Sequence, residues 1–152
     1  MRLTSPAFSD GGAIPDRHAK DGDDVSPPLL WSGVPGGALS LALIVDDPDA
    51  PRGTWTHWIV TDLPPTMTSL GEGATDMSGG RVGVNDWKRA AWNGPAPPRG
   101  RHRYEFRLYA LDREIGLSRP TRHEVERAMV GHVLAEAKLT GTYAAPRAAA
   151  PT

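Results

Sequence analysis

His102-Arg103-Tyr104-Glu105-Phe106-Arg107-Leu108-Tyr109-Ala110-Leu111 is the stretch on which the fold of this chain turns. Tyr104, Phe106, Leu108 and Ala110 fall on one face, and Arg103, Glu105, Arg107 and Tyr109 on the other. That is the period-two pattern of a strand with one side toward a core. His102 continues the alternation, so one strand carries a histidine and a tyrosine to the same face. Just upstream lies Gly94-Pro95-Ala96-Pro97-Pro98-Arg99-Gly100, a loop stiffened by prolines that fix φ and remove donors. An earlier segment follows the same plan: Asp46-Asp47-Pro48-Asp49-Ala50-Pro51 leads into Trp55-Thr56-His57-Trp58. Either segment alone is more often a turn beside a structural histidine. Two in one chain suggest two walls of a small rigid pocket with polar groups.

The rest of the chain reads as strands outward from these segments. Trp55 to Leu63 is rich in Trp, Thr, Ile and Val and ends at Pro64-Pro65. The apolar run Ala38 to Val45, bounded by turn signals, is a buried strand. Val25 to Trp31 contains two prolines, which admit only an edge strand or extended loop. Leu3 to Phe8 is a short first strand, 10–24 is loop, and 66–86 is loop with one short strand. A capping-box pattern at Thr121-Arg122-His123-Glu124 opens a helix. Val125, Ala128, Met129, His132, Val133, Ala135 and Leu139 continue it at helical spacing to a stop at Gly141. Residues 1–143 thus form a single domain, and 144–152 a flexible Ala/Pro-rich tail. The expected fold class is mostly β with an accessory helix.

Composition restricts the function. Among 152 residues, Lys+Arg 17 against Asp+Glu 18 gives a net charge of -1 without long runs of one sign, which disfavours nucleic-acid binding. Zero cysteine excludes disulfides, thiolate metal sites and a cysteine nucleophile. His123-Glu124 is followed by Val125-Glu126-Arg127, so it is not a zinc-protease helix motif, and neither a metal nor a cofactor is expected. No window reaches the roughly 18 apolar residues of a membrane span, and no apolar leader follows Met1, so a cytoplasmic protein without an integral membrane segment is expected. His132 reads as helix packing, His18 and His123 as surface residues, and Trp31, Trp87 and Trp92 as core or rim.

Asp47-Pro48-Asp49-Ala50-Pro51 with Trp55-Thr56-His57-Trp58 resembles the first signature of the phosphatidylethanolamine-binding protein family. Gly94 to Gly100 with His102-Arg103-Tyr104 resembles the second. Supporting matches run from Ser26-Pro27 and Leu30-Trp31 to Ala128-Met129-Val130-Gly131-His132, and the compact length is similar to the bacterial YbhB/YbcL-like, Raf-kinase-inhibitor-like branch. The resemblance implies a β-sandwich-like fold with a central antiparallel Greek-key sheet, a smaller second sheet and a C-terminal helix. It implies a pocket for phosphate, phosphoryl head groups or similar oxyanions, lined by Asp47, Pro51, Trp55, His57, Gly94, Pro95 or Pro97, His102 and Tyr104. Many bacterial members carry a cysteine where this chain has Ala96, so no thiol acts here.

The residue chemistry is compatible with that implication. Imidazole, indole and phenol groups and loop N–H groups can donate to an anion. Asp47 would repel one, and makes better sense orienting His57 or His102 through a ring nitrogen and so favouring the imidazolium. The leading expectation is a non-enzymatic protein that binds a phosphate-like anion or phosphorylated small molecule and can modulate a kinase or other protein partner. The alternative is an enzyme in which Asp47, His57 and His102 form an acid–base group. No nucleophile elbow or cofactor fingerprint supports it. A third reading is an interaction module using exposed aromatics around the pocket mouth. A homodimer through a strand edge or apolar patch is possible.

Overall fold

The computed structural model describes residues 1–146. A three-stranded antiparallel sheet is built from β1 (Arg2–Thr4), β2 (Leu29–Ser32) and β5 (Ser69–Leu70), in the order β1-β2-β5. A five-stranded antiparallel sheet has the order β6-β4-β3-β7-β8, from β3 (Ser40–Asp47), β4 (Trp55–Leu63), β6 (Arg81–Val82), β7 (Arg101–Leu111) and β8 (Val133–Ala144). One helix, α1 (Arg122–Met129), lies between β7 and β8 in sequence.

The main core fills the space between the sheets. Leu3, Leu29, Trp31 and Leu70 of the small sheet meet Leu43, Val45, Trp58, Val60, Phe106 and Leu108 of the large one. The opposite face of the large sheet is covered too, since Ala42, Ile44, Ile59 and Leu111 pack against Val125 and Met129 of α1. Covering both faces accounts for β3, in which all eight residues are buried. On β7, Tyr104, Phe106, Leu108 and Ala110 are buried as their alternation predicts.

Four sequence readings are corrected. The helix expected to run to Gly141 ends at Met129, and Val133 to Ala144 is instead the longest strand, paired with β7 from Arg101↔Ala144 to Leu111↔Val133. Gly131 at φ +77° breaks the helix, and Ala135, Ala137 and Leu139, which suit either period, then take the alternation that buries them against the core. In the Val25–Trp31 segment the two prolines lie in extended loop, one of the two readings, but the strand that follows them, β2, is the middle strand of its sheet and not an edge. The 66–86 segment holds two short strands, β5 and β6.

The fourth correction concerns the outlying histidines. His18 is buried, its Nδ1 2.9 Å from the Val25 carbonyl, whereas His132 is partly exposed and pairs with Asp112 at 2.7 Å. The 10–24 segment, which carries little fold signal in the sequence, is bonded into the structure. The N–H of Ile14 donates to the Thr142 carbonyl at 2.8 Å, and Ala13 and Thr142 form a parallel bridge. Of the expected tail, Ala144 belongs to β8 and the Ala145 N–H donates to the Gly100 carbonyl at 2.8 Å; residues 147–152 lie outside the described residues.

Candidate functional site

The two proline loops lie at the same end of the large sheet. β3 ends at Asp47 opposite Trp55 of β4, and β7 begins at Arg101 on the other side of β3. A register shift between Val45 and Asp46 turns consecutive aspartates to different partners. Asp46 is buried against Thr56 Oγ1 at 2.8 Å and Arg122 of α1 at 2.9 Å. Burial nevertheless holds its carboxyl above the ordinary range, with Arg122 opposing the shift. Asp47 faces the site: its Oδ2 lies 2.6 Å from His102 Nδ1, and its Oδ1 accepts the Asp49 N–H at 2.8 Å.

Asp49 clamps the first loop to β7. Its carboxylate accepts from Arg103 Nε at 3.0 Å, from the second guanidinium nitrogen at 2.8 Å and from the Arg103 N–H at 2.9 Å. These bonds pull its pKa down to about 2. On β4, Trp55 and His57 share a face by strand alternation. The His57 ring stands edge-on to Trp87 at 4.8 Å and to Tyr104 at 5.2 Å, and Trp87 also stands edge-on to Trp55 at 5.4 Å.

His57 Nδ1 is 2.7 Å from the Asn93 carbonyl. A carbonyl only accepts, so this bond places the proton on Nδ1 and leaves Nε2 uncommitted. Burial pushes the His57 pKa down, against the opposing pull of the Asn93 carbonyl and Asp47. Tyr104 is 1% exposed; its hydroxyl lies near the Ala96 N–H, short of hydrogen-bond geometry, and its own O–H has no acceptor among the described residues. Burial, then the neighbouring Asp47, raises its pKa, so the phenol stays protonated.

These groups surround a cavity of about 490 Å³ lined by Asp47, Pro51, Trp55, His57, Asp86, Trp87, Ala96 and His102 among others. The volume is in the range of small-molecule sites. Of the residues expected there, Asp47, Pro51, Trp55, His57 and His102 line the cavity, and Tyr104 stands beside His57. Gly94, Pro95 and Pro97 do not line it. Pro95 and Pro97 face a separate small depression beside Tyr143, while Ala96 and Pro98 form the wall. Gly94 is seated against the 18–24 segment, where an added Cβ would fall 1.9 Å from the His18 carbonyl oxygen.

Asp86 and Arg52 also line the cavity, neither singled out by the sequence. Asp86 accepts the Thr56 N–H at 2.6 Å, a non-local contact without a spacing signature. Arg52 follows the first proline motif directly, and its position beside Pro51 is the one signal that could have drawn attention to it. The described residues contain no cluster of three or more metal-ligating side chains, and no helix long and apolar enough to cross a membrane.

Fold and site together define a two-sheet antiparallel β protein with a cavity at the strand ends of the large sheet, and its fold is that of the phosphatidylethanolamine-binding proteins. A family model for "Phosphatidylethanolamine-binding protein" matches residues 4–144. This chain belongs to that family. It is 51% identical over 148 residues to a UPF0098 protein of Methanothermobacter thermautotrophicus, covering 94% of this chain and 98% of the relative. It is 43% identical over 150 residues to one from Aquifex aeolicus, covering 94% and 88%. Among solved structures, a putative phosphatidylethanolamine-binding protein homolog from Chlamydia trachomatis superposes with a TM-score of 0.90 at 42% identity, covering 95% of this chain and 97% of that one. Escherichia coli YbcL, described as a member of the mammalian family, superposes with a TM-score of 0.89 at 32% identity, covering 95% and 98%.

Proposed function

We propose that this protein binds small oxyanions of the phosphoryl head-group class in the His57–His102 cavity. The observation that supports this most directly is the convergence of two imidazoles, each with Nδ1 engaged by a fixed acceptor, beside a buried tyrosine hydroxyl that lacks a partner. A buried polar group without a partner costs free energy, and an anion oxygen would satisfy it. Asp47 accepts from His102 Nδ1, which fixes the orientation of that ring in the cavity wall. The volume accommodates a phosphoryl group together with its substituent. Modulation of a kinase or another signalling partner is part of this proposal and rests on the family resemblance.

The proton balance gives the test. A neutral His57 offers a lone pair at Nε2, so an anion binds either after His57 takes up a proton or by bringing a proton of its own. Both routes tighten binding as pH falls. Calorimetry with phosphoethanolamine is expected to show stronger binding at pH 6 than at pH 8. His57→Ala and His102→Ala are each expected to weaken it by about tenfold or more, in line with loss of a charge-assisted hydrogen bond. Affinity that is flat with pH, or unchanged in both variants, would refute the proposal.

A further inference from the structure

We infer that Asp24 is a positioning residue for this site, holding the Asn93–Gly94 turn so that the Asn93 carbonyl keeps His57 in one tautomer and one orientation. The inference rests on reading the cavity as an oxyanion site. Asp24 lies in the segment with least sequence signal, in the left-handed region at φ +55°, a conformation that aspartate tolerates better than most residues. Its two oxygens take different donors of one turn: Oδ1 accepts the Gly94 N–H at 2.7 Å, and Oδ2 accepts from Asn93 Nδ2 at 3.0 Å.

Asn93 is thereby held at both its side chain and the following peptide, and its carbonyl receives His57 Nδ1. Asn85 closes the arrangement from the other side, donating through Nδ2 to Asn93 Oδ1 at 2.8 Å and to the Ala91 carbonyl at 2.9 Å. The same segment meets residues 92–95 through one backbone bond and one side-chain bond as well. The Lys20 N–H donates to the Pro95 carbonyl at 3.0 Å, and Trp92 Nε1 donates to the His18 carbonyl at 3.2 Å. Among these contacts Asp24 is the one carboxylate, and each of its two oxygens takes a donor from Asn93–Gly94. Orienting partners of this kind fix which ring nitrogen carries the proton and therefore which one faces a ligand.

Positioning and simple electrostatics predict opposite signs. Removing a carboxylate near an anion site should tighten anion binding if charge alone matters. Loss of positioning should weaken it. Asp24→Ala and Asp24→Asn, the latter keeping one acceptor oxygen, are compared with wild type and with Asp23→Ala, which removes an adjacent charge. Two measurements are made: the imidazole 15N spectrum of the ligand-free protein, and calorimetry with inorganic phosphate. Expected results are a single Nδ1–H tautomer for His57 in wild type and Asp23→Ala, a mixed population in Asp24→Ala, and an intermediate one in Asp24→Asn. Phosphate affinity should fall about tenfold in Asp24→Ala, the scale of losing a partner that orients a ligating imidazole, and less in Asp24→Asn. An unchanged tautomer in Asp24→Ala overturns the inference, as does phosphate binding equal to or tighter than wild type. If Asp24→Ala fails to fold, Asp24→Asn decides by the same criteria. Should wild type bind no phosphate, the oxyanion reading fails, while the ligand-free spectra still decide the role of Asp24.

Discussion

At His57, burial and hydrogen bonding pull in opposite directions. Burial lowers the pKa below the ordinary 6.5, while the unfolded chain titrates near that value. The unfolded state therefore binds the proton first as pH falls. Stability contributed by a neutral, buried His57 is fully present above about 6.5 and is lost below it. Urea midpoints of the ligand-free protein should fall between pH 7.5 and 5.5, and the fall should be smaller in His57→Gln. The same loss in both proteins would exclude His57 as its source. The sequence leaves open whether Asp47 orients His57 or His102; the geometry pairs it with His102 and gives His57 the Asn93 carbonyl instead. A backbone carbonyl looks alike at every position in a sequence, so that partner was illegible. Asp47 carried a signal because its side chain is the acceptor.

At the scale of elements, β7 was legible because its alternation allows only one buried face, and β4 because Pro64-Pro65 terminates it. β8 was not, since Ala135, Ala137 and Leu139 fit a strand while Val125, Ala128, Met129 and His132 begin a helical period just before them. Tertiary pairing decides such cases: eleven registered partners on β7 outweigh a propensity difference of tenths of a kcal/mol per residue. Gly141 is correspondingly a packing position and not a helix stop. A Cβ there would lie 2.5 Å and 2.7 Å from Ile14 side-chain atoms and 2.9 Å from Phe8. Gly141→Ala is expected to destabilise by about 1–3 kcal/mol through overpacking, as measured by urea denaturation. A neutral effect would mean that Ile14 and Phe8 yield freely. The capping box, by contrast, reads correctly from four letters, with Thr121 Oγ1 accepting the Glu124 N–H at 3.2 Å.

Across the whole molecule, the pocket draws on distant parts of the chain: Asp24, Asp47, His57, Asn93 and His102 belong to five segments. The two motifs marked its walls, but the 18–24 segment behind the second loop carried no periodicity by which to be found. A ligand that bridges β4 and β7 binds only the folded state, so it should raise stability by mass action. At one hundred times the dissociation constant the gain is about 2.7 kcal/mol. For a chain of this size that corresponds to a rise in Tm of roughly 5–11 °C, readable by scanning calorimetry. The rise should vanish in His102→Ala, and a phosphoethanolamine effect that persists there would place the ligand elsewhere.

Ala96 stands exposed in the cavity wall between the buried Pro95 and Pro97, in a chain without any cysteine. Oxidants that modify thiols have no target in this chain. The same absence of thiols makes the position a clean attachment point: Ala96→Cys would carry the molecule's sole thiol, and a fluorophore coupled there would report on the pocket without a competing label.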